Sequence, residues 1–240
     1  MAMRIAVLSD IHGFNLALET VVTDLDRQGP FDQIVVAGDL FEGGPGPAEV
    51  IALLHERGVT AIHGNTDIDL IEAAHEGSAY DPLAYALDQI GPAGVSYLAS
   101  LPFSHRITPP GGTSPDDDLL IVHANPHDVY VKLDPLASDH NLRTIIGETR
   151  AAAIAFGHIH ICYTKRLDDR LLVDVSAVGN PKDGDLRCKY GILSWDASRR
   201  TWNGELRKLD YPLDETADQI HASDLPNPEK VLKKLIKASY

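Results

Sequence analysis

Apolar and polar positions alternate with two different periods through the first third of the chain. Short β-branched runs bounded by turn signals predict strands at residues 4–8, 33–37 and 59–62. A segment of helical period follows each run, at residues 15–27, 48–56 and 68–76. This βαβαβα order favours a parallel sheet with right-handed crossovers and helices packed on it.

The pattern changes after Gly77, where residues 81–101 predict a helix and a connector that could form a cap or lid. Further strands are predicted at 119–122, 152–156, 171–175, 190–195 and 201–209. Because little helix separates them, we expect the second half to supply a second sheet. The predicted fold class is α/β, a four-layer αββα sandwich of two mostly mixed sheets flanked by helices, with a small helical cap insertion at about 78–101.

We assign residues 1–221 to one domain and residues 222–240 to a C-terminal tail. The tail contains a short amphipathic helix at 229–237, where four lysines lie to one side of an apolar stripe. A basic amphipathic helix is only suggestive of a membrane surface. We therefore favour a packed helix or a homodimer contact over a membrane contact.

Composition narrows the function. The 240 residues are 44% hydrophobic and carry a formal charge of −14. Proteins that bind nucleic-acid polymers carry a basic stripe for the phosphates, so we expect no such partner. A small phosphorylated substrate is compatible with the charge, since divalent cations would reverse the local field. Two cysteines, no signal-peptide core and no long apolar run predict a soluble, cytoplasmic protein.

Metal-binding side chains follow five of the predicted strands. In chain order these residues are Asp10 and His12, Asp39, Asn65, His123, and His158 with His160. Sites in open α/β sheets form outside the carboxyl ends of the strands, where side chains distant in sequence can converge. Glycines beside these residues allow the backbone to turn sharply and approach closely.

The residue types form a coherent ligand set for transition metals. Carboxylate and imidazole suit Mn, Fe, Zn, Co or Ni better than Ca or Mg, and we expect Mn to support activity. The set contains no cysteine, which weighs against a structural zinc site. Seven ligands suit two ions that share a carboxylate, for which Asp39 is the best candidate. Two such ions would lower the pKa of a bridging water, so that a bridging hydroxide attacks phosphorus without a covalent enzyme intermediate.

Taken singly, these motifs also have structural interpretations. Asp10 could cap a strand-to-helix turn. Asp67 could assist proton transfer, although an N-cap before Ile68 is the interpretation we favour. The sequence contains no Gly-x4-Gly-Lys-Ser/Thr phosphate cradle, which removes the main support for a kinase or an ATPase.

Substrate contacts are predicted at four positions. Asn65 could position phosphoryl oxygens as well as a metal, and His127 could line the substrate pocket. Lys182 and Arg187 are the best placed cationic clamps for a phosphate, although both could equally be ordinary surface charges.

The five blocks, in this order, resemble the calcineurin-like metallophosphoesterase superfamily, whose pattern reads D-x-H, G-D, G-N, H and G-H-x-H. The resemblance spans roughly residues 3–195 and implies a metal-dependent phosphoesterase with the four-layer sandwich. It implies one metal held by Asp10, His12, Asp39 and His160, and a second held by Asp39, Asn65, His123 and His158. The catalytic residues would then be Asp39, Asn65 and His123.

Two further segments resemble the small bacterial and archaeal phosphodiesterase branch of that superfamily. They are Val-His-Ala-Asn-Pro at 122–126 and the run at 176–185 that leads into Tyr190. That branch includes phosphodiesterases active on model aryl phosphodiesters and hydrolases of diadenosine tetraphosphate. The resemblance therefore implies a small nucleotide, such as a dinucleoside polyphosphate, as the substrate.

One position departs from the superfamily pattern. Many members have a histidine directly after the asparagine of the third block, where this chain has Thr66. A threonine cannot donate a proton at neutral pH as an imidazole can. We therefore expect an activated diester or a phosphoanhydride as the substrate, rather than a simple monoester.

Two other functions stay open. A phosphoprotein phosphatase could use the same metal centre, although the acidic charge and the lack of an evident peptide-recognition element disfavour it. A scaffold could keep the fold without catalysis, as does the retromer subunit that resembles this family. Such scaffolds replace metal-binding histidines, whereas every expected ligand position is filled here.

Overall fold

Two five-stranded sheets face each other in the computed structural model, which describes residues 3–239. The outer ends of the predicted domain and tail, residues 1–2 and residue 240, lie outside that range. The strands are β1 (Arg4–Leu8), β2 (Gln33–Ala37), β3 (Thr60–Ile62), β4 (His105–Ile107), β5 (Leu119–Ile121), β6 (Ala153–Phe156), β7 (Tyr163–Leu167), β8 (Arg170–Asp174), β9 (Cys188–Asp196) and β10 (Thr201–Leu209). The helices are α1 (Asn15–Gln28), α2 (Pro47–Arg57), α3 (Asn65–Glu76), α4 (Asp81–Ser100), α5 (Asp139–Ile146), α6 (Leu213–Ala222) and α7 (Pro228–Lys237).

Both sheets are mixed, as predicted. The first has the order β10-β9-β1-β2-β3, in which β1, β2 and β3 are parallel and β9 runs antiparallel to β1. The second has the order β4-β5-β6-β8-β7, in which β5, β6 and β8 are parallel. The predicted α/β sandwich of two mixed sheets is therefore confirmed.

The second half of the chain does not form the second sheet alone, which corrects one prediction. Strands β9 and β10 return to the first sheet, where β9 pairs with β1 over Arg4–Val7. Local pattern shows that a segment is extended but not which sheet it joins.

Strands β4 and β7 were not predicted, because β4 has only three residues and β7 is a mostly polar edge strand. Helices α5 and α6 were not predicted either.

Alternate side chains of each strand enter different cores, since successive residues point to opposite faces. On β1, Ile5 and Val7 face the second sheet, whereas Ala6 and Leu8 face the helices. The core between the sheets also includes Trp195 and Trp202, whose ring centroids lie 5.6 Å apart.

The two outer helical layers are unequal. Helices α1–α4, α6 and α7 share one apolar core on the first sheet, while α5 covers the second sheet through Leu142 and Ile146. Leu232 and Leu235 place α7 in the larger core, which confirms the packed interpretation of the tail helix. The predicted cap forms α4, which also packs in this layer.

Within residues 3–239, none of the helices combines the length and apolar character needed to cross a bilayer.

Candidate metal centre

The seven predicted ligand residues converge beyond the carboxyl ends of five strands. Asp10 and His12 follow β1, Asp39 follows β2, Asn65 begins α3 after β3, His123 follows β5, and His158 and His160 follow β6. Asp10, His12, Asp39, His123 and His160 are buried, whereas Asn65 and His158 are partly exposed. The arrangement is the one expected at the edge of parallel strands.

Asp10, His12 and His160 form a first cluster. The Nε2 atom of His160 lies 3.2 Å from Nε2 of His12 and 3.2 Å from Oδ1 of Asp10. The Nε2 atom of His12 lies 3.8 Å from the same carboxylate oxygen. Two imidazole nitrogens and a carboxylate oxygen therefore face one point.

Asn65, His123 and His158 form a second cluster. The Oδ1 atom of Asn65 lies 3.0 Å from Nε2 of His123 and 3.0 Å from Nδ1 of His158. Those two nitrogens are 3.2 Å apart. The amide oxygen and the two rings thus converge as tightly as the groups of the first cluster.

Asp39 lies between the two clusters. Its Oδ2 atom is 3.6 Å from Nε2 of His12, and its Oδ1 atom is 3.6 Å from Nε2 of His123. Asp10 is also near both clusters, since possible ligand atoms of Asp10, Asp39 and His123 lie within 4.8 Å of one another. The other oxygen of Asp10, however, accepts the backbone N–H of His158 at 2.9 Å. Asp39 turns one oxygen to each cluster, and its Oδ1 atom also accepts the backbone N–H of Thr66 at 2.9 Å.

Each of the four histidines is oriented by a backbone carbonyl. The ring nitrogen that points away from the centre donates to Glu42 O for His12, Ala37 O for His123, Tyr130 O for His158 and Asn180 O for His160, at 2.6–3.0 Å. A carbonyl only accepts, so the outer nitrogen carries the hydrogen and the inner nitrogen of the neutral ring carries a lone pair. Metal-binding histidines are held by the same kind of outer hydrogen bond.

The donor set fits a metal. Inner lone pairs 3.2 Å apart repel one another unless a cation or a proton lies between them. The buried Oδ1 atom of Asp10 has no hydrogen-bond partner among the described residues, and it faces His160. Buried polar atoms are rarely left without a partner, and a bound ion is one accepted reason. Two clusters with a shared carboxylate could hold two cations.

The charges of the centre shift its pKa values in opposite directions. Burial favours the neutral acid of Asp10, but the neighbouring His160 and other imidazoles hold its pKa below the ordinary value. Burial also disfavours the imidazolium of His123, yet Asp39 and Asp10 raise the pKa of that ring. Burial lowers the pKa values of His12 and His158. The carboxylates thus create a field that attracts positive charge.

The loops that carry the ligands adopt an uncommon backbone conformation. Five of these residues have a left-handed backbone, with φ between 52° and 73°: Asp10, His12, Asp39, His158 and His160. Such values are uncommon for residues other than glycine, and they cluster at functional sites. Hydrogen bonds between loops hold them there, such as His12 N to Asp39 O at 3.0 Å and Gly157 N to His123 O at 2.9 Å.

Glycine is required where two of these loops touch. A β-carbon at Gly157 would collide with the Asp10 carboxylate and with Ser9, and one at Gly64 would collide with Asp39. The chain can therefore bring its ligands together only because these positions lack a side chain.

Asp67 holds two ligand loops together. Its carboxylate accepts the backbone N–H groups of Asp39 at 2.8 Å, Leu40 at 3.0 Å and Gly64 at 2.8 Å. Burial and the nearby Asp39 raise its pKa to about 7. The prediction of an N-cap before Ile68 is wrong in position, because α3 begins at Asn65. Asp67 is instead the third residue of the helix and supports the residues that carry Asp39 and Asn65.

A cleft of about 290 Å³ opens onto the two clusters. Asn65 and Lys182, two of the predicted substrate contacts, line it. His127 and Arg187 are not among the described residues that line the cleft. The His127 ring bonds Ile146 O at 3.0 Å, and the Arg187 guanidinium is engaged by Asp185 at 2.7 and 2.9 Å.

Several residues of the cleft were not predicted. Glu42 and Tyr80 line it, as do Lys230 and Lys234 of α7. The sequence predicts that these lysines lie on a basic helix, but the local sequence pattern does not show where that helix packs. Asn180, which orients His160, lies in the Gly-Asn-Pro segment that carries the resemblance to the phosphodiesterase branch.

A family model described as calcineurin-like phosphoesterase matches residues 3–162 of the chain. An uncharacterized protein of Methanocaldococcus jannaschii is 24% identical over 243 residues, which cover 92% of this chain and 93% of the relative.

Two solved structures share the fold over their whole length. A metallophosphoesterase from Sphaerobacter thermophilus has a TM-score of 0.78 at 22% identity, covering 99% of this chain and 100% of its own. A hypothetical protein from Pyrococcus horikoshii has a TM-score of 0.80 at 18% identity, covering 99% of each chain.

The support by Asp67 is testable through Asp67→Ala. We expect the variant to lose roughly 2–4 kcal/mol in the free energy of unfolding, because three buried N–H groups lose their acceptor. Amide hydrogen exchange at Asp39, Leu40 and Gly64 should become faster. Asp69→Ala, on the same helix, is the matched control, since Asp69 accepts none of these three bonds. Unchanged exchange at the three amides of Asp67→Ala would contradict the assignment.

Proposed function

Because the chain belongs to the calcineurin-like phosphoesterase family, we propose that it hydrolyses phosphodiester or phosphoanhydride bonds in a small nucleotide, using two metal ions. The family consists of metal-dependent phosphoesterases, and the chain is a metallophosphoesterase. One observation carries the proposal: Asp39 turns one carboxylate oxygen toward each of two clusters whose histidines face inward. A dinucleoside polyphosphate is the substrate we favour.

The ligands divide between two metal positions. Asp10, His12 and His160 would hold one ion, Asn65, His123 and His158 would hold the other, and Asp39 would be shared. Two cations bound there supply charge for the phosphoryl oxygens and lower the pKa of water. Imidazole and carboxylate suit Mn, Fe, Zn, Co or Ni, and we propose that Mn supports activity.

Groups around the metal ligands orient the Asp39 carboxylate and would bind the phosphoryl group of the substrate. The Asp39 carboxylate is fixed by the Thr66 N–H at 2.9 Å, in addition to its place between the clusters. Lys182 lines the cleft, where its ammonium group would contact a phosphoryl oxygen. Asn65, whose amide reaches the second cluster and also lines the cleft, would orient the phosphoryl group together with His123.

The leaving group decides between substrate classes. The hydroxyl of Thr66 is buried without a hydrogen-bond partner in the part of the chain described, and threonine is no proton donor at neutral pH. A leaving oxygen of low basicity, as in a phosphoanhydride or an aryl diester, needs no such donor. This supports a diester or an anhydride over a simple monoester.

The cleft favours a small molecule. Its volume of about 290 Å³ is at the lower end for small-ligand pockets. Tyr80, Pro82 and Leu225 add apolar surface that a nucleobase could cover. These features support a nucleotide over a phosphoprotein, and the inward-facing histidines support catalysis over a scaffold role. A cytoplasmic location and a homodimer stay predictions from the sequence.

Metal content tests the shared carboxylate. The wild-type protein should retain two Mn ions per chain after dialysis, measured by mass spectrometry. Asp39→Asn should retain fewer and lose about 100-fold or more in hydrolysis, since even outer residues of metal sites cost about 10–100-fold and Asp39 is a direct ligand in this proposal. Asp69→Asn, the same exchange outside the cleft, should behave as wild type. Full metal content and full activity in Asp39→Asn would contradict the shared position.

Because no proton donor stands at position 66, we expect the protein to hydrolyse aryl diesters faster than aryl monoesters. With Mn, bis(p-nitrophenyl) phosphate should be hydrolysed faster than p-nitrophenyl phosphate. Thr66→His should raise the ratio of monoester to diester turnover, because the imidazole can protonate a more basic leaving group. Thr66→Ser, which adds no such group, is the control. A wild-type preference for the monoester would show that the argument is wrong.

A further inference from the structure

Helix α7 turns two of its four lysines toward the cleft at the candidate metal centre. Lys230 and Lys234 line the cleft, and residues four apart lie on the same side of a helix. Lys233 and Lys237 do not belong to the described residues that line it. The helix therefore has a cleft-facing pair of lysines and a second pair that does not face the cleft.

The cleft-facing pair is held in place by the packing of α7. Leu232 and Leu235 are buried in the core on the first sheet. Beyond the helix, the carbonyl of Ala238 accepts the N–H of Gly184 at 2.9 Å. Buried side chains and a backbone bond thus anchor the helix, so that the backbone that carries the two lysines is fixed along one wall of the cleft.

Lys182 connects this wall to the metal ligands. Its backbone N–H donates to the carbonyl of His160 at 3.1 Å, and its side chain also lines the cleft. The Lys182 side chain therefore lies in the same cleft as those of Lys230 and Lys234. Three cationic side chains thus share the cleft that opens onto the two clusters, where the carboxylates of Asp39 and Glu42 also lie.

The three lysines outnumber these two carboxylates in the cleft, whereas the whole chain has a formal charge of −14. An anion that binds between the lysines is attracted by their ammonium groups. Ammonium groups form strong charge-assisted hydrogen bonds with phosphate oxygens. The reacting phosphate would lie at the ligands of the metal centre, so the pair on α7 is available to a different anionic group of the same substrate.

We infer that Lys230 and Lys234 form a second anion subsite, beside Lys182, that binds the phosphate next to the reacting one. The subsite selects substrates with two or more linked phosphates, and thus phosphoanhydrides over diesters with a single phosphate. The inference rests on the proposed function, because it takes the metal centre as the place of the reacting phosphate.

Binding of two adenine nucleotides to the Mn-loaded protein, measured by isothermal titration calorimetry, tests the subsite. The probes are AMP and the α,β-methylene analogue of ADP, which differ by one phosphate and share the base. Wild type should bind the diphosphate analogue at least about 10-fold more tightly than AMP, since two lysines meet the added phosphate. Lys230→Ala/Lys234→Ala should bring this ratio close to one.

Lys233→Ala/Lys237→Ala is the matched control, because it removes the same charge from the same helix and should keep the wild-type ratio. All four lysines are exposed, so both double variants should keep the wild-type melting temperature. No preference for the diphosphate in wild type, or an equal loss of preference in both double variants, would overturn the subsite.

The readout separates the subsite from the proposed function, because the methylene bridge is not hydrolysed. If the protein shows the predicted affinity ratios but cleaves neither diesters nor anhydrides, the subsite is supported and the proposed function is contradicted. If the protein cleaves them and its affinity ratio does not depend on Lys230 and Lys234, only the subsite is contradicted.

Discussion

Inner imidazole nitrogens 3.2 Å apart, packed against two buried carboxylates, are the constraint on which this structure depends. Each of the four rings is turned inward because its other nitrogen is bound to a backbone carbonyl. Such a group of lone pairs and negative charges is unfavourable in a buried position without positive charge between its members. We therefore infer that the centre binds metal, with Asp39 between the two clusters of possible ligands.

The fold is arranged to meet that constraint. Parallel strands of both sheets end at one edge, and hydrogen bonds join the loops there, such as Val178 N to Ser9 O at 2.9 Å across the two sheets. The left-handed backbone at five ligand positions is tolerated because the surrounding loops fix it. Asp67 adds three backbone bonds beneath two of these loops. The segment that supplies the metal ligand Asn65 thus also supplies Asp67, the residue that stabilises the ligand loops.

The sequence predicted the parts of this arrangement that depend on local pattern. The strand β1, its partner β2 and the polar residues after them could be identified, because period and residue type are local properties. The placement of β9 beside β1 could not, since pairing depends on contacts distant in the chain. The same reason explains why the position of the α7 lysines at the cleft was not predicted. The ion pair of Arg187 with Asp185 is local, and it was missed because residue type alone does not show which partner a cation takes.

The pair of cations is the central claim, and anomalous X-ray diffraction from a crystal of the Mn-loaded protein tests it most directly. We expect two anomalous peaks roughly 3.5–4 Å apart, one on each side of the Asp39 carboxylate. A single peak, or peaks away from the inward-facing histidines, would contradict it.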